Sequence, residues 1–413
     1  MHPCPVSKAP QPCFLVRLFG NGREGCIAVS MPKFRFELCR LPAAAEELRI
    51  EVREFLRETL PDHPPERRAY TWTGWDAEFS RKVGERGWLG MTWPKRYGGG
   101  ERSALERYVV LEEMLSYGAP VAAHWVGDRQ SGPLLLRYGT EAQRQNILPR
   151  ICRGEIAFCI GMSEPDSGSD LASIRSRAER SDAGWRLNGT KVWTTGAYAC
   201  DYMIALFRTT TVPDQKHQGL SQFLLPLRTP GITVRPIRDL SGNEHFCEVV
   251  FEDAVVPADS LVGEEGNGWS QVMAELAYER SGPERYLSCY PLLVELIGEL
   301  TANAERREHE AIGRQVAHLA TLRAMSISVA GLLEAGENPA LEASLLKDLG
   351  GIFEQDLPGV AQALAPAEPR CDGAASQYQR VLAHLMQNAP SFSLRGGTRE
   401  ILRGIIARGL GLR

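Results

Sequence analysis

Phe158-Cys159-Ile160-Gly161-Met162-Ser163-Glu164-Pro165-Asp166-Ser167-Gly168-Ser169-Asp170 sets small, hydroxyl-bearing and acidic residues at the point where an apolar run ends. Gly161 and Gly168 remove side-chain bulk, while Ser163, Ser167 and Ser169 add donors and acceptors. Backbone can therefore approach a ligand closely there and hold a polar ring edge or a phosphate. The same composition suits an ordinary surface loop, since Ser, Gly, Pro and Asp dominate those as well. The next segment, Trp185-Arg186-Leu187-Asn188-Gly189-Thr190-Lys191-Val192-Trp193-Thr194-Thr195-Gly196, narrows the choice. Its Asn188-Gly189, between aromatic and β-branched runs, predicts a type I′ hairpin whose second strand ends in Trp193-Thr194-Thr195-Gly196.

On the N-terminal side the period is helical from Pro42 to about Ala157. Leu48, Val52, Phe55 and Leu56 share one face, and Pro61 ends that segment. Ser103-Ala104-Leu105-Glu106 is a capping box opening a helix that Gly118 can terminate. A third helical stretch carries Leu134, Leu135 and Leu136, then Ile147 and Leu148 before Pro149. Between Phe158 and Asp259 the period shifts toward alternation, with short strands at Met203–Phe207, Phe223–Leu225, Ile232–Val234 and Val249–Phe251. Helical spacing returns after Asn267-Gly268, where Ile312, Val316 and Leu319 mark a long amphipathic face. The Pro- and Ala-rich stretch from Ala365 to Ala375 reads as a loop.

A chain of 413 residues exceeds what one core usually holds, so two or three domains are expected. A net charge of −4, with scattered Lys and Arg, argues against nucleic acid as a partner. No apolar run is read as reaching the roughly 18 to 20 residues needed to span a bilayer, so no membrane insertion is expected. Ten dispersed cysteines form no Cys-x-x-Cys pair, and no His stands at zinc-ligand spacing. Reduced thiols and no metal site follow, with Cys159 read as a small buried hydrophobe. Pro3, Pro5, Pro10 and Pro12 oppose a regular element in the first thirty residues. The run Phe14-Leu15-Val16 is broken by Arg17 too soon for a secretory signal, and a cytoplasmic location is expected. Gly20-Asn21-Gly22-Arg23-Glu24-Gly25 spells a dinucleotide fingerprint, but β-branched residues and Pro32 follow it where that motif needs a helix.

Taken together, the Ser-Glu-Pro loop and the Trp-x-Thr strand end resemble the flavin-contacting pattern of the acyl-CoA dehydrogenase family. Further landmarks follow in family order: Gly87-Trp88-Leu89-Gly90-Met91-Thr92-Trp93-Pro94, Tyr97-Gly98-Gly99-Gly100, Tyr138-Gly139-Thr140-Glu141-Ala142-Gln143, Val255-Val256-Pro257 and Gly397-Thr398-Arg399-Glu400-Ile401. The resemblance covers about Pro42 to Leu412. It implies an α+β fold with an N-terminal helical domain (31–157), a central β-barrel or sandwich domain (158–266) and a C-terminal four-helix bundle (267–413). Residues 1–30 are then a non-native or disordered leader, with Met31 as the natural start.

The resemblance also implies FAD as cofactor and an acyl-CoA as substrate, oxidised to the 2-enoyl-CoA, with electrons passed to an electron-transfer flavoprotein. Removing hydrogens from adjacent carbons needs a base for the α-proton and an acceptor for the β-hydride, which no side chain supplies. By resemblance Ile160, Met162, Ser163, Gly168 and Ser169 line the flavin. Trp193, otherwise a core hairpin aromatic, covers the ring; Thr194 and Thr195 lie beside it, and Thr398 and Glu400 contact the cofactor from the last helix. Ser169, Tyr278, Arg280 and Gly397 shape the thioester end of the substrate site. Many members carry the catalytic base directly before the Gly-Thr of the last-helix motif, where this chain has Gly396. The subgroup of isovaleryl- and long-chain-acyl-CoA dehydrogenases carries it instead before an Arg on the helix after the β domain. Here that stretch is Ala277-Tyr278-Glu279-Arg280, which makes Glu279 the base. The alternative is a surface pairing of Glu279 with Arg280 or Arg285.

Two departures stand out. His309-Glu310-Ala311-Ile312-Gly313 occupies the place of the family's Arg-x-x-Phe-Gly, whose Arg reaches a neighbouring subunit's flavin pyrophosphate. No Gln-x-x-Gly-Gly follows between Phe353 and Tyr378. A homodimer or homotetramer is what the family implies. The departures keep open a non-catalytic subunit of a hetero-oligomer, and a flavin oxidase or monooxygenase of the same fold is the third alternative. Acyl length and structure are not legible in one sequence.

Overall fold

A computed structural model describes residues 34–412 except 281 and 301–304, and the backbone of β1 (Phe14–Leu18) and β2 (Gly25–Val29). At 71 and 276–279 it describes backbone only. β1 and β2 form an antiparallel hairpin, in a leader expected to lack regular structure. The strand-forming runs on either side of the glycine-rich segment outweigh the prolines upstream. Gly25 opens a strand, as the reading of the fingerprint as accidental requires. Among the described residues, β1 and β2 pair with each other and with no other strand. Deleting residues 1–31 is therefore expected to leave the melting temperature of the remaining chain unchanged by circular dichroism; an insoluble product would contradict this.

The N-terminal helices are α1 (Ala43–Thr59), α2 (Pro65–Arg68), α3 (Ala77–Glu85), α4 (Ala104–Tyr117), α5 (Ala122–Val126), α6 (Gly132–Tyr138) and α7 (Glu141–Cys152). The predicted α1 face is buried at Leu48, Val52, Phe55 and Leu56. The Ser103–Glu106 capping box is formed, with Gly118 left-handed at the other end of α4. The third helical stretch is two helices, because Gly139 breaks the first and Thr140 with Gln143 caps the second in a further capping box.

Next come β3 (Phe158–Gly161), β4 (Arg177–Ser181), β5 (Gly184–Thr195), β6 (Tyr202–Arg208), β7 (Leu220–Pro226), β8 (Ile232–Ile237), β9 (Phe246–Val256) and β10 (Leu261–Val262). They form one mixed sheet in the order β10-β7-β6-β4-β5-β9-β8, with β3 parallel to β6. The end strands β10 and β8 do not pair with each other, so the expected barrel or sandwich is a single open sheet. Its apolar face gathers Trp185, Phe207, Phe223 and Phe251, while Phe158, Ile204 and Leu224 pack against α6 and α7.

The predicted Asn188-Gly189 hairpin is not there. β5 runs unbroken through both residues, and the turn is Asp182-Ala183, between the paired Ser181 and Gly184. Asn188 instead bonds Asp253 on β9 through its side chain, at a shift in strand register. Gly189 takes φ +138° where a Cβ would collide with Ser176, so the glycine serves a close approach rather than a turn.

After α8 (Gly268–Glu279) come α9 (Tyr290–Leu300), α10 (Arg306–Glu334), α11 (Ala340–Leu364) and α12 (Gln377–Asn388), which pack as a bundle, and α13 (Arg399–Gly409) lies on α11. The predicted loop separates α11 from α12, and Tyr378 closes it by donating to the carbonyls of Ala361 and Ala365. N- and C-terminal helices share one core, in which Phe55, Trp88 and Met114 meet Tyr286, Leu292, Phe353 and Leu382.

Against the expectation of no spanning run, α10 is long and apolar enough by length and composition to cross a membrane. Its second half is a core helix, with Leu322, Ile327 and Val329 buried and Arg323 paired to Glu112 of α4 at 2.7 Å. In its first half Ile312 and Leu319 are half-buried and Val316 is 46% exposed, so this chain covers that face only in part.

Candidate active site

The β-domain half of the site begins at a bulge. Lys191 pairs with Val249 and Thr194 with Cys247, so Val192 and Trp193 together face Glu248 alone. The extra residue breaks the alternation that would carry Trp193 inward after Trp185, Leu187 and Lys191. Trp193 takes φ +60°, a costly conformation for a bulky residue, and stands 58% exposed with its ring edge-on to Phe246. Thr194 is buried with an unpartnered hydroxyl, and Thr195 is half-buried beside it.

Facing this strand, Val192 N–H donates to the Ser163 carbonyl at 2.9 Å. Ile160, Met162 and Ser163 are half-buried, and Gly168 and Ser169 are exposed. Beneath the loop lies an ion pair that sequence reading passed over. Lys191 is fully buried and donates to a Glu164 carboxylate oxygen at 2.8 Å and to the Met162 carbonyl at 3.2 Å. Glu164 also accepts from the amides of Arg175 at 2.6 Å and Ser176 at 3.0 Å. Burial pushes the Lys191 ammonium down to about 8 against the pull of Glu164. Burial likewise acts to raise the Glu164 carboxyl, but Lys191 and the amides outweigh it and hold it below the usual range. Strand parity was the available signal, since Lys191 shares the inward side of Trp185 and Leu187.

The helical half is built where α8 ends. Arg280 Nε donates to the Gly396 carbonyl at 3.2 Å, and Lys347 donates to the Gly397 carbonyl at 2.8 Å. Gly396 and Gly397 are both left-handed, with φ +67° and +98°. Arg280 and Lys347 thus hold the two adjacent carbonyls of this glycine pair. Glu279 and Tyr278 close α8, and their side chains lie outside the described residues. Thr398 caps α13 by accepting from Ile401 N–H. Glu400 is exposed; its own backbone amide and the Thr398 hydroxyl hold its carboxyl below the usual range. No hydrogen bond or ion pair among the described residues joins Thr398 or Glu400 to the β-domain group.

Beside this loop is a buried charged cluster that sequence reading also missed. Arg395 pairs with Glu354 at 3.0 Å, donates to Ser288 Oγ and stacks on Trp72 and Phe392. Burial pulls its guanidinium below the ordinary value against Glu354. Arg129 pairs with Glu284, which also meets Arg285 at 3.3 Å. A sequence offers no local signal for Arg395–Glu354 or Arg129–Glu284, partners far apart in the chain.

An exposed indole, a loop hydroxyl at Ser163, an orphaned Thr194 hydroxyl and bare backbone at Gly168 suit a planar ring with polar edges, as an isoalloxazine has. The stretch that stands in place of Arg-x-x-Phe-Gly, His309–Gly313, lies on the first turns of α10, where His309, Glu310 and Gly313 are exposed.

Residues 42–155 match the family model of the acyl-CoA dehydrogenase N-terminal domain, and residues 159–254 that of the middle domain. Acyl-CoA dehydrogenase IpdE1 of Mycobacterium tuberculosis (strain ATCC 25618 / H37Rv) is 32% identical over 89% of this chain and 97% of its own length. A solved steroid acyl-CoA dehydrogenase, Tcur3481-Tcur3483, superposes with TM-score 0.80 at 30% identity, covering 90% of this chain and 98% of that one. The ChsE4-ChsE5 complex from Mycobacterium tuberculosis gives TM-score 0.77 at 26% identity, over 90% and 98%. The chain belongs to the acyl-CoA dehydrogenase family of FAD-dependent oxidoreductases and is an enzyme of acyl-CoA metabolism.

Proposed function

We propose that this chain binds FAD through Ile160–Ser169, Trp193 and Thr195 and dehydrogenates an acyl-CoA to the 2-enoyl-CoA, with an electron-transfer flavoprotein as acceptor. The observation that carries this reading is the bond from Arg280 to the Gly396 carbonyl. It ties the end of α8, where Glu279 stands, to the loop on which other members hold their base, so the two family base positions share one neighbourhood. Bound FAD supplies the hydride acceptor. Glu279 takes the α-proton, while Arg280 and Lys347 fix the Gly396-Gly397 carbonyls beside the thioester. Trp193 covers one face of the ring and keeps water from it. Similarity to a steroid acyl-CoA dehydrogenase makes a steroid-derived acyl group the first to test.

The absent flavin-anchoring Arg favours a hetero-oligomer, in which a related chain completes the cofactor site; two of the similar structures carry paired protein names. Flavin content and mass in solution separate the readings. Purified alone, the chain is expected to hold FAD poorly, and to hold it stoichiometrically in a complex with a family partner carrying the Arg. A chain that takes no FAD in either form would remove the flavin reading.

A further inference from the structure

We propose that Lys191 and Glu164 are positioning residues that set the Ser163 loop against the Trp193 bulge and thereby shape the ring site; this rests on the flavin reading above. Both ends of the loop converge on this one pair. At the near end Lys191 holds the Met162 carbonyl, immediately before Ser163, and the Glu164 carboxylate, immediately after it. At the far end the same carboxylate gathers the amides of Arg175 and Ser176. Glu164 and Ser167 exchange backbone hydrogen bonds at 2.9 and 3.0 Å, closing the turn between them. Pro165, Asp166, Gly168 and Ser169, which this pair does not hold, are exposed.

On the strand side, Lys191 is the last inward residue before the bulge. Its ammonium also lies over the Phe207 ring at 5.2 Å, so its stem is fixed in the sheet core. One side chain thus links three things: the sheet, the two residues that flank Ser163, and the strand that turns Trp193 outward. A buried ion pair adds little net stability over a well-packed apolar pair, because both charges lose their hydration. What this pair adds is geometry, since no apolar contact would hold a carbonyl and two amides in register.

The test uses three proteins: Lys191→Met, Glu164→Gln, and the two combined. Two readouts are taken on each, besides the melting temperature. One is hydrogen exchange at the amides of Ser167, Arg175, Ser176 and Val192 in the flavin-free chain. The other is the FAD dissociation constant from quenching of flavin fluorescence. Lys191→Met should speed exchange at these amides and weaken FAD binding roughly tenfold or more. Combining both changes removes the unpaired charge, so the melting temperature should recover while fast exchange and weak FAD binding persist. Recovery of FAD affinity in step with the melting temperature would overturn the proposal and leave a structural ion pair. So would unchanged exchange and affinity in Lys191→Met. If Lys191→Met does not fold, Glu164→Gln keeps an acceptor for one amide and should show the same changes at smaller size; unchanged values there would also overturn it. A wild-type chain that takes no FAD, either alone or in complex with a family partner carrying the Arg, would sink the flavin reading, and the exchange measurement would still decide whether the pair orders the loop.

Discussion

Glu279→Gln is expected to reduce the rate of anaerobic flavin reduction by acyl-CoA roughly a hundredfold or more, the usual size of a lost general base, while flavin and acyl-CoA still bind. The amide keeps the size and hydrogen bonding of the carboxyl but has no basicity, so chemistry and binding separate in a single-turnover experiment. Adding Gly396→Glu to that variant returns a carboxylate to the other base position of the family. The Arg280–Gly396 bond places that position next to the end of α8. Gly396 sits at φ +67°, so a side chain there costs about 1 to 2 kcal/mol of backbone strain, and the expected rescue is partial. Unchanged reduction in Glu279→Gln would end the assignment of the base, whatever the double variant does.

Arg395→Met is expected to destabilise the chain by about 3 to 5 kcal/mol, because it leaves the buried Glu354 carboxylate without its cation. Glu354 would keep the Ser288 amide, at 2.7 Å. Denaturant unfolding followed by tryptophan fluorescence measures the change. The companion Arg395→Met/Glu354→Leu should recover much of the loss, since replacing both charges avoids the stranded carboxylate. A loss under about 1 kcal/mol in the single variant would show that Glu354 finds another partner or water.

Where local chemistry alone decides, the sequence was legible. The α1 face, the Ser103 capping box and the α11–α12 loop are set by neighbours within a few residues. Asn188-Gly189 misled because an Asn-Gly pair suits a tight turn and a close backbone approach equally well, and only Ser176, far along the chain, selects the second. The bulge at Val192-Trp193 depends on register with β9, which no residue of β5 announces. Within the site, Ser163, Trp193, Arg280 and Gly397 are singled out by the family resemblance and not by any local pattern of their own. Lys191 was overlooked because a charge in a strand is ordinarily placed on the wet face. Arg395, Glu354 and Glu284 escaped because ion pairs across the core leave no local pattern. The open sheet is likewise a matter of which end strands meet, and strand spacing does not specify that.

The central claim is that acyl-CoA reduces a flavin held in this site. Its most direct test is anaerobic titration of the flavin-loaded protein, in complex with a partner if loading needs one, against a panel of acyl-CoAs that includes a steroid-derived thioester, following visible flavin absorbance. At least one thioester should bleach the flavin with one equivalent per site, and the enoyl-CoA product should be found by mass spectrometry. A flavin that dithionite reduces fully and no acyl-CoA bleaches would contradict the account.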